Sequence, residues 1–378
     1  MQIKSTVLTI LLSALFFTGM TQSNPLHYLI TGTYTGGKSE GIYVFEFNSN
    51  DGSYKAVSHV KSSNPSFLAV SPDEKFVYAT NENGKNDNGG EVSAFSFDKK
   101  TGKLTAINKQ LSGGDAPCYI QADKTGKWVI AGNYSSGTLS VFPVSASGEL
   151  GKATTTIQHR GSGVNKERQA KPHVHCTILS KDNKWLFVPD LGIDKVMIYA
   201  FDSNTGKLKP ALQPYAKIKD GGGPRHLTFH PNNKYAYLIE EMGGAVDVFQ
   251  YSNGKLKPIQ HIASVQSNDT GFIGSADIHV SADGKFLYAS NRGGFNTIAI
   301  YTINQENGTL TLAGHQPSLG EIPRNFSIDP SDNYLLAANQ ESDNIVIFKR
   351  DAKTGLLTDT GKRIEVGKPV CLKWIEKE

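Results

Sequence analysis

One block recurs along this chain with a period of about 50 residues, and a repeat of that length limits the architecture before any local reading. PSFLAVSPDEKFVYATN from Pro65 is matched by PCYIQADKTGKWVIAGN from Pro117, PRHLTFHPNNKYAYLIE from Pro224 and PRNFSIDPSDNYLLAAN from Pro323. VHCTILSKDNKWLFVPD from Val174 and SADIHVSADGKFLYASN from Ser275 align on the same Lys-aromatic step. Each block holds two short apolar runs around a turn rich in Asp, Asn, Gly and Pro, the pattern of a β-hairpin.

An alternating apolar strand stands beside every block: IYVFEF, VSAFSF, LSVFPV, VMIYAF, VDVFQY, IAIYTI and IVIFKR, from Ile42, Val92, Leu139, Val196, Val246, Ile298 and Ile345. Each is followed by a turn glycine, Gly52, Gly102, Gly148, Gly206, Gly254, Gly308 or Gly355, where a positive φ is needed before a fourth strand. The strand at Ile42 has only half a hairpin ahead of it, HYLITGTYT from His27, and the other half is PVCLKW from Pro369. Seven units of four strands predict an all-β, seven-bladed β-propeller, with the C-terminal strand innermost in the N-terminal blade. One domain, residues 24–378, is expected.

Residues 1–23 stand apart. Lys4 precedes an apolar run from Val7 to Phe17, followed by Thr18, Gly19, Thr21 and Ser23, the layout of a secretory signal peptide. A membrane helix needs about 20 apolar residues, and no stretch reaches that. The expected mature protein is therefore exported, periplasmic or extracellular, and free of the membrane. Cys118, Cys176 and Cys371 lack the spacing of a zinc or redox motif and read as small buried residues. The formal charge of +4 is carried by scattered basic residues, which gives nucleic-acid binding no support. A monomer is expected.

In a propeller, equivalent positions from different blades form rings around one axis. The position after each block's opening residue holds Ser66, Cys118, His175, Arg225, Ala276, Arg324 and Val370. The end of the second strand holds Thr33, Asn81, Asn133, Asp190, Glu240, Asn291 and Asn339, short polar groups suited to bonding loop backbones. The next ring reads Tyr34, Glu82, Tyr134, Leu191, Glu241, Arg292 and Gln340. His175, Arg225, Glu241 and Arg292 thus converge from blades 4 to 6 on one mouth. Over it should fold the longest inter-blade insertion, HRGSGVNKERQAKPHVH from His159 to His175, whose Arg160, Arg168 and Lys171 suit a phosphate or carboxylate. Arg324 is a further candidate for that anion, with Tyr34 and Tyr134 as pocket walls. His173 and His175 share one face of a strand, but no third ligand stands at metal spacing, so no metal and no cofactor are expected.

The segment GSGVNKERQAKPHVH, with LSKDNKWLFVPDLGIDKV, resembles the signature region of the bacterial propeller lactonases, the family that includes 6-phosphogluconolactonase. GGGPRHLTFHPNNKYAYLIEE and SADIHVSADGKFLYASNRG resemble its following blocks, and the resemblance covers essentially the whole expected mature chain. A more distant relative is carboxy-cis,cis-muconate cyclase, whose site is attributed to a histidine, two arginines and a glutamate. By motif, these fall on His175, Arg225, Glu241 and Arg292.

The resemblance implies a lactonase acting on a small anionic lactone. Adding water to an ester carbonyl needs a base and a positive group for the oxyanion. Glu241 or His175 is the candidate base, and Arg225 or Arg292 the oxyanion partner. No Gly-x-Ser-x-Gly elbow supports a serine nucleophile. Three other readings stay open: a non-catalytic propeller binding protein or carbohydrate, a lactonising enzyme of the cyclase type, and the six-bladed calcium lactonase. Blade count argues against the last, and calcium wants six to eight oxygen ligands.

Overall fold

The computed structural model describes residues 25–84, 89–266 and 272–378; the expected signal peptide lies outside them. Seven antiparallel four-stranded sheets form the ring. Blade 1 joins Leu26–Thr33, Gly41–Asn48 and Ser53–Lys61 to the C-terminal strand Pro369–Glu376, with His27 opposite Glu376 and Leu29 opposite Trp374. Ring closure is therefore the one that the split repeat implies. No helix among the described residues is long and apolar enough to cross a membrane.

The repeat's two most regular features meet at each blade interface. The aromatic residue that opens the second-strand motif packs on the turn glycine of the following blade: Tyr28 on Gly102, Phe76 on Gly148, Trp128 on Gly206, Trp185 on Gly254, Tyr235 on Gly308, Phe286 on Gly355 and Tyr334 on Gly52. A Cβ at any of these glycines would fall within 3.0 Å of the ring. Glycine is thus required twice, by a φ between +67° and +79° and by the neighbouring blade. The aromatic wedge fills the space that the missing side chain leaves.

The inner strands carry a second repeated device. In blades 1, 3, 5 and 7 the ladder skips one residue, so Val370, Cys118, Arg225 and Arg324 are bulged and unpaired. A bulge re-aims its side chain, and here it turns the first ring toward the axis. The residue before the opening proline is left-handed in five blades: Asn64, Ala116, Gly223, Ile322 and Lys368. For β-branched Ile322 at φ 58° this is a strained conformation, of a kind that clusters at functional sites. The carbonyls of Asn64, Ala116, His173, Gly223, Ile322 and Lys368 accept the N–H of Glu82, Tyr134, Leu191, Glu241, Gln340 and Tyr34. Those bonds lock the two functional rings in register.

Blade 4 departs from the pattern. The sequence predicts a full inner strand from Val174, but the strand covers only Ile178–Leu179, preceded by a single bridge between Val174 and Asp190. Pro189 on the partner strand has no N–H to continue the ladder. The segment is held instead by His175 N donating to Pro189 O and His173 N donating to Asp190 Oδ1.

Two alanine substitutions separate the glycine requirements. Gly361 has φ +75° and open space where a methyl group would go, whereas Gly254 adds the Trp185 ring at φ +76°. Gly361→Ala should cost about 1–2 kcal/mol from backbone strain alone. Gly254→Ala should cost about 1–3 kcal/mol more through overpacking, measured by chemical denaturation. Equal costs would remove the wedge from the account.

Candidate active site

One mouth of the channel holds a cavity of about 330 Å³, to which every blade contributes. Tyr34, Glu82, Cys118, Tyr134, His175, Glu241, Arg292 and Arg324 line it, with Phe272 from a connection and Arg168 from the insertion. A larger cleft of about 540 Å³ lies elsewhere, beside blades 1 and 2. Its ionisable groups, Glu40, Lys61 and Lys109, are exposed rather than convergent.

Glu241 is the electrostatic centre. Its Oε1 accepts from Arg168 Nη2 at 2.6 Å; its Oε2 accepts from Arg225 Nε at 3.0 Å and faces Arg292 Nη2 at 3.0 Å. Burial pushes the carboxyl up, but Arg292, Arg225 and Arg168 outweigh it and hold the pKa down at about 2. Glu241 is thus an anion whose oxygens are taken by three guanidiniums. Such a group is a poor base and a strong anchor.

Arg225 lies behind Glu241 rather than on the cavity wall. It is 1% exposed, and its Nη1 donates to Ala276 O at 2.6 Å. Arg292 does reach the wall, fixed by Nε donating to Gly274 O at 2.8 Å; burial lowers its pKa to about 10 against the opposing pull of Glu241. Arg324 differs from both. Among the described residues its guanidinium has no hydrogen bond or ion pair, and it sits 5.4 Å from the centre of the Tyr34 ring. Burial opposes its charge, but Tyr34, Glu82 and Glu241 raise its pKa above the ordinary arginine value.

His175 is neutral. Burial first, then Arg225, His226 and Arg324, drive its pKa well below the usual imidazole range. Its Nε2 lies 3.9 Å from Glu241 Oε2, its Nδ1 lies 3.7 Å from Cys118 Sγ, and the Tyr134 ring meets it edge-on. Beneath it, His226 contacts the His175 ring and bonds Asp277 Oδ1 at 2.8 Å through Nδ1. Asp277 in turn holds His279 and Asn325.

The insertion is positioned by Gln169, which is fully buried and donates through Nε2 to Leu191 O and Asp194 Oδ1. Asp194 also accepts the N–H groups of Gly221 and Gly223. One carboxylate thereby ties the segment carrying Arg168 to the turn preceding Arg225. Lys171 and Arg160 are exposed and outside the cavity lining.

Of the residues singled out from sequence, the structure gathers His175, Arg225, Glu241, Arg292, Arg168, Arg324, Tyr34 and Tyr134 around this cavity, and leaves Lys171 apart. Glu82, whose Oε2 accepts from Tyr34 OH at 2.8 Å, and Cys118 stood in the two rings without being picked out as site residues. Comparing ring members for charge and for contact with the channel would have found them. Phe272 lies in a connection and Gln169 inside the insertion, where no repeat position marks them.

Burial changes what substitution should do to stability. Glu241→Gln leaves three guanidiniums around a neutral amide, and breaking a buried pair typically costs about 3–5 kcal/mol. The folded pKa of about 2 lies below the roughly 4.3 of an unfolded glutamate. The stabilisation is therefore complete above that unfolded value and fades as pH falls toward the folded one. Denaturation of both proteins across that range should show the gap closing toward acid; a gap independent of pH would contradict the charge assignment.

Comparison with known proteins agrees with this architecture. The family model for the seven-bladed β-propeller lactonases matches residues 28–374. A 6-phosphogluconolactonase of Formosa agariphila is 41% identical over 333 residues, covering 87% of this chain and 94% of that protein. One from Bacillus subtilis is 36% identical over 355 residues, covering 92% and 97%. The structure of the Pseudomonas aeruginosa periplasmic gluconolactonase superposes with a TM-score of 0.90 at 35% identity, covering 93% of this chain and all of that one. The chain belongs to the lactonase family of seven-bladed β-propellers.

Proposed function

We propose that this lactonase hydrolyses a sugar-acid lactone bearing a negative charge, of the 6-phosphogluconolactone class, with His175 as general base and Arg292 as oxyanion partner. The observation that carries the reading is Arg324, a half-buried guanidinium on the cavity wall with no hydrogen bond or ion pair among the described residues. An uncompensated charge so placed is costly, and a phosphate or carboxylate supplies its partner. The 6-phosphogluconolactonases among the relatives support the same substrate class. The apolar run from Val7 to Phe17 and the likeness to a gluconolactonase described as periplasmic support export, and so a lactone met outside the cytoplasm.

In this scheme the lactone lies between Arg324, which holds its anionic end, and Arg292, which faces the carbonyl oxygen. Neutral His175 takes a proton from water as the water oxygen bonds to the carbonyl carbon. Negative charge moves to the carbonyl oxygen, where a pre-oriented guanidinium stabilises it. Collapse breaks the ring C–O bond, and His175 returns the proton to the leaving alkoxide. The product is a hydroxy acid. Glu241 serves as anchor, since its proton affinity is too low for the base's role and its arginines are what it orients. A bound anion also offsets the positive field of Arg324, one of the causes that keep His175 deprotonated, and so raises the imidazole's basicity when water is to be activated.

Removing the base should lower kcat by about 10² to 10⁴ in His175→Ala. Losing the oxyanion donor should cost about 10² to 10³ in Arg292→Met. Near-normal turnover in both would end the assignment. Arg324→Met should raise KM for a phosphorylated aldonolactone far more than for the free sugar lactone, with kcat nearly held, because the distal charge is alike in ground and transition states. Equal KM changes on both substrates would give Arg324 a merely structural part.

The pH profile is a separate check. Because His175 must be neutral and its pKa is depressed, kcat/KM should stay level on acidification through the ordinary imidazole value of about 6.5 and fall only below it. An acid limb centred at or above that value would point to another base.

A further inference from the structure

The ring containing Glu240 does structural work in other blades. Asn81, Asn133, Asn291 and Asn339 each donate an amide N–H to a carbonyl just past the outer strand, those of Ser63, Ser112, Ser264 and Ser318. In blade 4, Asp190 Oδ2 is taken by His159 at 2.7 Å. Glu240 breaks this pattern. It is 0% exposed, and neither carboxylate oxygen has a hydrogen-bond partner among the described residues.

Glu240 ends the strand Tyr235–Glu240 and Glu241 opens the turn that follows, and the two side chains meet different partners. Glu241 faces the channel, and Glu240 faces into blade 5 toward Asp247 and His261. Asp247 on the third strand is directly opposite His261 on the outer strand. His261 Nδ1 lies 2.8 Å from Asp247 Oδ1 and 3.7 Å from Glu240 Oε1. One ligand atom from each of the three lies within 4.8 Å of the others. Asp247 Oδ2 is also without a hydrogen-bond partner among the described residues. Gly222 and Gly243 close the space, since a Cβ at either would strike the Glu240 carboxylate. His261, with its side chain 41% exposed, leaves a way in from solvent.

We infer that Glu240, Asp247 and His261 form a structural binding site for a divalent transition-metal ion of the zinc or manganese class. Two carboxylates and an imidazole suit such ions, whereas calcium and magnesium prefer all-oxygen shells. Ligation at the roughly 2.0–2.2 Å of a zinc site would draw Glu240 inward and open the 2.8 Å His261–Asp247 pair around the ion, with the remaining position left to water. The ion would tie together the second, third and outer strands of blade 5, beside the turn at Gly222. The site lies outside the substrate cavity, so its role is in holding the blade rather than in the hydrolysis. The alternative occupant is a proton shared by the two acids: burial and Asp247 push the Glu240 pKa up to about 9.

The test compares the full-length protein, purified without chelator, with its His261→Ala and Glu240→Gln variants, by elemental analysis and by melting with EDTA, zinc or manganese. One ion per chain is expected in the parent. EDTA should lower its melting temperature by several degrees and one of the two ions should restore it, because a ligand bound only to the folded state stabilises that state. His261→Ala, a change at a partly exposed side chain, should fold and lose this response. Absence of any metal response in the parent, or the same response in His261→Ala, would overturn the proposal. So would a Glu240→Gln protein that matches the parent in melting with every addition, since the amide replaces a shared proton but not a metal ligand.

Discussion

Everything in this molecule depends on the contact between an aromatic ring of one blade and a turn glycine of the next. Seven such wedges set the angle between sheets, and a closed ring has no free interface at which to absorb an error. The contact is apolar and close-packed, so its energy falls steeply with displacement. The glycine is needed because the turn demands a left-handed backbone and because a methyl group would occupy the ring's place. A single residue type therefore answers both the local and the tertiary requirement.

That rigid frame makes the buried charges at the mouth tolerable. Glu241 with Arg168, Arg225 and Arg292 is a cluster whose desolvation is offset only if its geometry is held. The frame holds it through backbone bonds between the rings, through bulges that turn Arg225 and Arg324 inward, and through Asp194, which fixes two loops at once. Arg168, Arg225, Arg292 and Arg324 against Glu82 and Glu241 leave a net excess of positive charge there. With three arginines engaged by one carboxylate, Arg324 is the cation left over among the described residues, and its field adds to the burial, Arg225 and His226 that hold the His175 pKa down.

In blade 5 the second strand ends at Glu240 and the turn begins at Glu241, the latter lining the channel mouth as an anchor and the former buried in the blade without a hydrogen bond among the described residues. Adjacent positions on one backbone thus hold carboxylates in different surroundings.

The sequence by itself determined the blade count, the ring closure and the membership of each ring, because a repeat makes equivalent positions equivalent in space. His175, Arg225, Glu241 and Arg292 were legible for that reason, and so was the approach of the insertion carrying Arg168. Depth and partnership were not. Whether an arginine lines the cavity or lies behind another side chain depends on the packing around it from neighbouring blades, since Arg225 and Arg324 are both bulged. Arg225 and Arg324 therefore occupy the same ring position with opposite environments. Glu82 became part of the site only when blades 1 and 2 met across the closed ring, where its Oε2 accepts from Tyr34 OH. Lys171 fell outside it because Gln169 and Asp194 set where the insertion lies. The cluster of Glu240 with Asp247 and His261 was hidden because these residues stand on different strands, brought together by strand register rather than by spacing along the chain. Tertiary structure decided these points because the interactions that settle them run between strands and blades, where neither period nor composition leaves a mark.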